Sequence, residues 1–593
     1  MKKVTVNLAG TYRIIFLVIL TLAISYPVLF TTPAKGHDLE FHLQRIEGIV
    51  NDISFSNFPV RLQSKWVNGF GCPISIFYGD IFLYLPAALR LIGLPIMPVY
   101  RIFILCINAA TVIISYFSFK ALFNERISLV TTALYSTAAY RLVDVYVRAA
   151  LGESLTITFL PAVAACIYLI ISSDDLDLRR KARIFLAFSF SSIICSHVLT
   201  TSMLIVVLIP VCVASLFLFC KKGERIRRFV ELFISGILTL LISAFFTIPF
   251  LDFYLTGDIA YASDHNIQGI GLRARDLFRF FSDPFRPDGT DIQKTPGFPL
   301  MAALLVATVL CIIMPILKKR SDGMKKIIFW TVISIVILFM TSHLFPWNFI
   351  EHKLPLGSML TAIEFPMRYL VFAILSLTLL SGDLLDMAFS KFSLREGKVS
   401  GPVMCISGLI LAACIFNTAN LGYHNDVYER KADFKTVEDL GKWQYYAMDY
   451  QLKNTWIGED MPFGIKNEGM NSMEVVSIWR NDYMVACETG ADYGWLQFPI
   501  FNYKYYHAND VANPSVTFEI SDGSDRTVGV LLPGNYSGIV HVFWREPVLW
   551  RISELISGIT AVICILLLVL PRKRVALFYD KIELIIGHFR IHR

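Results

Sequence analysis

Apolar runs close to twenty residues long recur along this whole chain, and nothing else constrains its fold as much. The hydrocarbon core of a bilayer takes about 20 consecutive apolar residues of helix to cross. Runs of that kind fall at 12–30, 98–119, 127–146, 151–172, 184–200, 201–220, 229–250, 298–317, 327–345, 366–388, 402–420 and 551–570. Of 593 residues, 55% are hydrophobic and only 17% charged, against roughly 25% charged in an ordinary soluble protein. The expected fold class is a polytopic α-helical membrane protein with about 12 transmembrane helices. The short basic connections at Lys120–Arg126, Arg179–Arg183, Lys221–Arg228, Lys318–Lys326 and Lys391–Lys398 hold much of the positive charge. The positive-inside rule places them, and with twelve spans both termini, in the cytoplasm. The net charge of +7 is thereby an orientation signal, and no nucleic-acid partner is expected.

One further apolar run, Ile74–Pro95, carries Asp80 and Arg90. Counted as a span it would put every later basic loop outside, so it reads as an interfacial helix within a long first outer loop, 31–97. The start, Met-Lys-Lys followed by a long apolar run without a small-x-small site, reads as an uncleaved first span. Three units follow: 1–420 as the membrane module, 421–550 as an extracytoplasmic domain, and 551–593 as the last span with a basic cytoplasmic tail. In the domain, 515–521 and 526–532 alternate around Gly523, and 539–544 alternates again, which predicts strands and a β-rich fold. Its aromatics (Trp443, Tyr445, Tyr446, Trp456, Trp479, Tyr493, Trp495) suit either sugar stacking or a core. Most cysteines lie inside apolar runs as small hydrophobes. Only Cys72 and Cys487 fall in outer segments, where a disulfide between them stays open.

The polar residues that stand out gather at the outer boundary. Directly after the first span comes Gly36-His37-Asp38-Leu39-Glu40-Phe41-His42-Leu43-Gln44-Arg45. Ionisable groups at a membrane boundary are costly to desolvate and mark a functional site by default. Asp38, His42 and Arg45 share one helical face, so a helix is expected to start near His37. Arg141, Asp144, Arg148 and Glu153 lie between the third and fourth spans, with Arg141 and Arg148 seven apart on one face. His197 sits near the outer end of the fifth span, and Glu364 and Arg368 enter the tenth. Each has a plain alternative: Asp38 could pair with Lys35 or Arg45, the arginines could snorkel, and Glu364 and Arg368 could pair with each other. Their joint placement carries the weight.

These residues resemble the YfhO-like branch of the GT-C membrane glycosyltransferases. The resemblance rests on Gly36–Ile46, Phe58-Pro-Val-Arg-Leu62, Gly69–Pro73 with Phe77-Tyr78, Tyr140–Asp144, Arg148–Glu153, Ser196-His197 and Ile363–Arg368. The last motif departs from the more usual Gln-Phe-Pro-Trp-Arg at Glu364 and Met367. The resemblance implies a GT-C-like bundle in the bacterial cytoplasmic membrane and an inverting transfer. A sugar moves from a polyprenyl-phosphate donor to an envelope acceptor such as teichoic or lipoteichoic acid or another polysaccharide. It implies Asp38 as base, aided by His37, Glu40 and His42. Arg141, Arg148, His197 and Arg368 would hold the donor phosphate, with Arg45, Asp144, Glu153 and Glu364 supporting. An apolar lipid groove is expected between outer span ends and the helix at 74–95. Asp38 with Glu40 would supply oxygen ligands if Mg or Mn takes part. The competing classes are a transporter or flippase of lipid-linked sugars, which needs charges at midplane, and a non-catalytic envelope-assembly protein.

Overall fold

The protein is described here by a computed structural model covering residues 8–260, 267–278, 294–316, 322–355, 357–392, 401–427, 431–432, 434, 436, 438–440, 450–455 and 464–570. The helices run in chain order as α1 (Leu8–Ile24), α2 (Tyr26–Phe30), α3 (Leu39–Asp52), α4 (Ile74–Phe77), α5 (Tyr84–Leu91), α6 (Ile96–Lys120), α7 (Glu125–Ser136) and α8 (Ala139–Val143). After a π turn at Asp144–Arg148 come α9 (Leu151–Ser172), α10 (Leu176–Ile194), α11 (Val198–Phe219), α12 (Arg225–Tyr254) and α13 (Ala274–Leu277). The series closes with α14 (Phe298–Ile316), α15 (Asp322–Met340), α16 (Trp347–Lys353), α17 (Gly357–Thr361), α18 (Leu370–Phe392), α19 (Gly401–Val427) and α20 (Val548–Val569).

Among the described residues, seven helical segments are long and apolar enough to cross a membrane: those built on α6, α9, α11, α12, α15, α18 and α20. Shorter apolar segments lie within α1, α14 and α19 and at Ile81–Leu91. The molecule is a polytopic helical membrane protein. A helix at each of the twelve expected places is present, although α7 and α10 are more polar than their neighbours. The run at 74–95 breaks into α4, a 3-10 turn and α5, too short to span. Its Arg90 guanidinium grips Glu47 of α3, so the first loop is a layered helical cap. The 30 residues of α12 amount to about 45 Å at 1.5 Å each, longer than the roughly 30 Å hydrocarbon core. That excess carries Asp252 to the sandwich, where it accepts from Lys504 Nζ at 2.9 Å, Tyr505 Oη at 2.6 Å and Trp550 Nε1 at 3.1 Å.

The β-rich part is a sandwich of two antiparallel sheets. Its strands are β1 (Lys466–Glu468), β2 (Met470–Trp479), β3 (Asp482–Thr489), β4 (Tyr493–Phe501), β5 (Tyr506–Asp510), β6 (Glu519–Asp522), β7 (Thr527–Pro533) and β8 (Ser537–Trp544). One sheet is ordered β1-β4-β7-β6, the other β2-β3-β8-β5. Alternate residues point inward along β3 and β4, so Val485, Leu496, Phe498, Val530 and Val540 form a core. The strands expected at 526–532 and 539–544 are β7 and β8. The one expected at 515–521 shrinks to β6, because only Glu519–Asp522 pairs with β7. The sandwich core continues without a break into Trp66, Phe70, Cys72 and Ile74 of the first loop and into Trp550 and Phe253. Arg526 adds two contacts to Asp258, at 2.7 and 2.8 Å. Cys72 and Cys487 are both buried free thiols. Of the aromatics named for this region, Trp443, Tyr445, Tyr446 and Trp456 lie outside the described residues. Trp495 lies half-buried over Gly529 on the outward face of β4, while Trp479 and Tyr493 are exposed.

Candidate active site

Asp38 is the N-cap residue of α3, yet its side chain makes no capping hydrogen bond. Aspartate is among the best caps because its oxygen satisfies an orphan N–H, so this carboxylate is held back from its usual local use. The backbone holds it instead: the N–H groups of His37 and Asp38 both donate to the Arg148 carbonyl, at 3.1 and 2.9 Å. That crossing is close. Gly36 has φ +61, and a Cβ there would lie 2.7 Å from the Ala149 Cβ, so both the left-handed backbone and the contact require glycine. Asp38 is half-buried. Burial raises its carboxyl above the usual carboxylate range, while Arg148, Arg368 and His37 oppose the rise.

The partner strand of chain owes its shape to a π turn. Asp144–Arg148 forms one turn of π-helix and ends at Ala149 in the left-handed region, φ 55. Such turns are rare and concentrate at functional sites. Here it aims Arg148 back at both Asp144 and the first turn of α9. Arg148 Nη1 donates to Asp144 Oδ1 at 2.7 Å, Glu153 Oε2 at 2.9 Å and Tyr140 Oη at 3.1 Å. All of these groups are buried, so the desolvated charges are matched within the cluster. Arg148 is thereby occupied as a counter-ion.

The second cation is less occupied. Arg368, at the head of α18, is 7% exposed. Its Nη2 contacts Glu364 Oε2 at 2.5 Å, and Nε stands 3.8 Å from Glu153 Oε2. Nε and Nη1 have no hydrogen-bond partner among the described residues. Beside it, His197 caps α11. Its Nδ1 accepts the Thr200 N–H at 3.3 Å, which places the ring proton on Nε2. His197 is thereby a hydrogen-bond donor at Nε2. Tyr78 packs its ring 5.2 Å from that of His197 and 5.7 Å from that of His42. Gly152 makes room for it, since a Cβ there would strike the Tyr78 hydroxyl.

Several expected site residues sit elsewhere in this arrangement. Glu40 pairs with Lys35 at 2.7 Å, so neither Lys35 nor Arg45 is the partner of Asp38. Arg45 Nη2 donates to the carbonyls of Tyr78 and Gly79, both at 2.9 Å, and its guanidinium stacks 4.0 Å from the Tyr78 ring. His42 accepts the Leu151 N–H on Nε2 at 3.2 Å, with Arg45 Nη1 3.3 Å from Nδ1. Two donors face it, and burial lowers its pKa well below the usual value, so it positions α3 against α9 as a neutral ring. Arg141 is 1% exposed and bonds the Ser136 carbonyl at 2.9 Å and Asn108 Oδ1 at 2.7 Å. The π turn shifts the helical register, so the seven-residue spacing no longer puts Arg141 on the face of Arg148. Glu40 is turned to Lys35, so Asp38 and Glu40 do not fit a shared Mg or Mn site. Among the described residues no group of three His, Cys, Asp or Glu ligands assembles. Tyr78, Tyr140 and Asn108 were not assigned from sequence; a tyrosine beside glycine in an apolar run gives little signal of its own.

Beneath the polar cluster lies an apolar cavity of ≈ 110 Å³ between α9, α11, α15 and α18, lined by Leu160, Val163, Leu204, Val207, Ile333 and Phe372 among others. It lies away from α5, where the sequence suggested a groove. Three of its four walls are the later turns of helices whose first residues bring Glu153, His197 and Arg368 to the site.

Neither a family model nor a curated protein sequence matches this chain. Among solved structures it is similar to the apo oligosaccharyltransferase of Archaeoglobus fulgidus, at 14% identity and TM-score 0.41, over 76% of this chain and 61% of that one. It is similar to the arabinofuranosyltransferase AftD from Mycobacteria at 12% identity and TM-score 0.38, over 71% of this chain and 27% of that one. ArnT from Cupriavidus metallidurans bound to undecaprenyl phosphate aligns at 10% identity and TM-score 0.30, over 88% and 98%. The chain thus spans about three fifths of the length of the oligosaccharyltransferase.

Proposed function

We propose that this protein is a membrane glycosyltransferase that takes a sugar from a polyprenyl-phosphate donor and passes it to an envelope acceptor on the side that carries the sandwich. The observation that supports this most is the stacking of a polar cluster on an apolar cavity along the same three helices. A lipid-linked sugar has that chemistry: a long apolar chain, one phosphate, and a sugar beyond it. The chain would lie in the cavity between α9, α11, α15 and α18. The phosphate would meet Arg368, whose Nε and Nη1 are free of hydrogen bonds among the described residues, and the Nε2–H of His197. Guanidinium offers paired donors to phosphate oxygens.

Asp38 would take the proton of the acceptor hydroxyl as its oxygen attacks the anomeric carbon. The bond from that carbon to the phosphate oxygen breaks, the electron pair leaves with the phosphate, and attack opposite the leaving group inverts configuration. Arg368 and His197 offset the charge that develops there. Arg148, Asp144 and Glu153 hold the Asp38 loop and the cations in register. The acceptor would be a teichoic or lipoteichoic acid or another envelope polysaccharide, and both termini would be cytoplasmic. The test is turnover by the purified full chain in lipid nanodiscs supplied with polyprenyl-phosphate sugars, following release of polyprenyl phosphate. Asp38→Asn is expected to lower release by about 10²–10⁴-fold, the usual worth of a general base. Undiminished release by that variant would remove Asp38 from the mechanism.

A further inference from the structure

Glu364 combines three properties that do not belong together in a plain structural ion pair. It has φ +56, a left-handed backbone on a non-glycine residue, a strained conformation that persists where the surroundings require it. Its side chain is 39% exposed, while that of its partner Arg368 is 9% exposed. And it engages only Nη2 of that guanidinium, while the buried Nε and Nη1 keep no hydrogen-bond partner among the described residues. A forked pair would leave Arg368 fully engaged, whereas this single contact leaves Nε and Nη1 open to a second anion. The Glu364 carboxylate sits on the open side, touches one nitrogen, and is free to swing into solvent at little desolvation cost. It also lies near enough to Asp38 to oppose that residue's charge.

We propose that Glu364 is a built-in stand-in for the donor's phosphate, held on Arg368 while the site is empty and displaced when a lipid-linked phosphate arrives. The proposal rests on the reading of the site given above and adds a control on donor entry. In the empty site the Glu364 carboxylate neutralises Arg368, so a buried guanidinium is never left without a counter-charge. The donor's phosphodiester presents two non-bridging oxygens, with one negative charge, to a fork that Glu364 fills only in part. Exchange of one anion for the other keeps the charge of the cluster nearly constant, and the displaced carboxylate gains full hydration. A neutral lipid alcohol cannot make the exchange, so the device selects for the phosphorylated lipid over the bare polyprenol.

The test is equilibrium binding of undecaprenyl phosphate to the full chain in nanodiscs, with undecaprenol as the uncharged control, for wild type, Glu364→Gln and Glu364→Ala. Both variants are expected to bind the phosphate more tightly by about two- to fivefold, what one partly exposed ion pair is worth, with undecaprenol binding unchanged. Equal phosphate affinity in wild type and both variants would overturn the stand-in while leaving the donor site in place. Equal tightening for undecaprenol would also overturn it, since Glu364 would then only obstruct the cavity. Binding of the phosphate by none of the three proteins would overturn the donor site itself.

Discussion

Asp38 illustrates how a residue is kept available. A cap position, a glycine crossing at Gly36 and two backbone hydrogen bonds to Arg148 fix its place without using its carboxylate. Its raised pKa means that transfer should fall as pH drops through a point above the ordinary carboxylate range, because only the ionised form accepts a proton. His42 is shifted in the other direction, and its effect is on stability. Its folded pKa lies well below the unfolded value of 6.5, so the unfolded state binds the extra proton first. The stability His42 contributes is present above pH 6.5 and is lost as pH falls below it. Thermal unfolding of the detergent-solubilised protein between pH 7.5 and about 5 should show this loss, and His42→Gln should flatten it. An unchanged slope would mean that other groups set the acid limit. Asp38 and its neighbours were legible in sequence because a polar run directly after an apolar one is conspicuous. The division of labour among them was not, because Lys35, Tyr78 and Leu151 decide which carboxylate and which imidazole stay free.

At the level of elements, the π turn at Asp144–Arg148 matters most. It gives Arg148 three buried partners and removes Arg141 from the site. Helical spacing alone predicted both arginines together, and a single inserted register shift undid it; no residue in that stretch announces a π turn. Arg148→Ala would leave Asp144 and Glu153 as buried carboxylates without their cation, a loss of about 3–5 kcal/mol. Thermal unfolding should show a large drop, with partial recovery in the Arg148→Ala/Glu153→Gln double variant. No recovery would mean that the arginine stabilises by packing and not by charge. The strands β7 and β8 were readable from alternation around Gly523. The strands β1–β5 were not, because Cys487, Thr489 and Gly494 point inward while Met484 and Trp495 point outward, which breaks the simple alternation.

The whole molecule is a membrane bundle with its own core, topped by a helical cap and a β-sandwich whose common core reaches the ends of α12 and α20 through Phe253 and Trp550. The positions of the long apolar helices followed from hydropathy, since bilayer thickness leaves few alternatives. The cavity did not, because it arises between helices far apart in sequence. Its proposed use for the lipid chain predicts that Val207→Trp, which narrows it, raises KM for long polyprenyl donors and leaves short-chain donors unaffected. Equal effects on both chain lengths would place the lipid elsewhere. The central claim, sugar transfer by Asp38 from a lipid-linked donor, is tested most directly by envelope glycan composition. The comparison is between cells lacking this protein and the same cells carrying wild type or Asp38→Asn. The account predicts loss of one sugar modification, restored by wild type and not by Asp38→Asn. Restoration by both would contradict it.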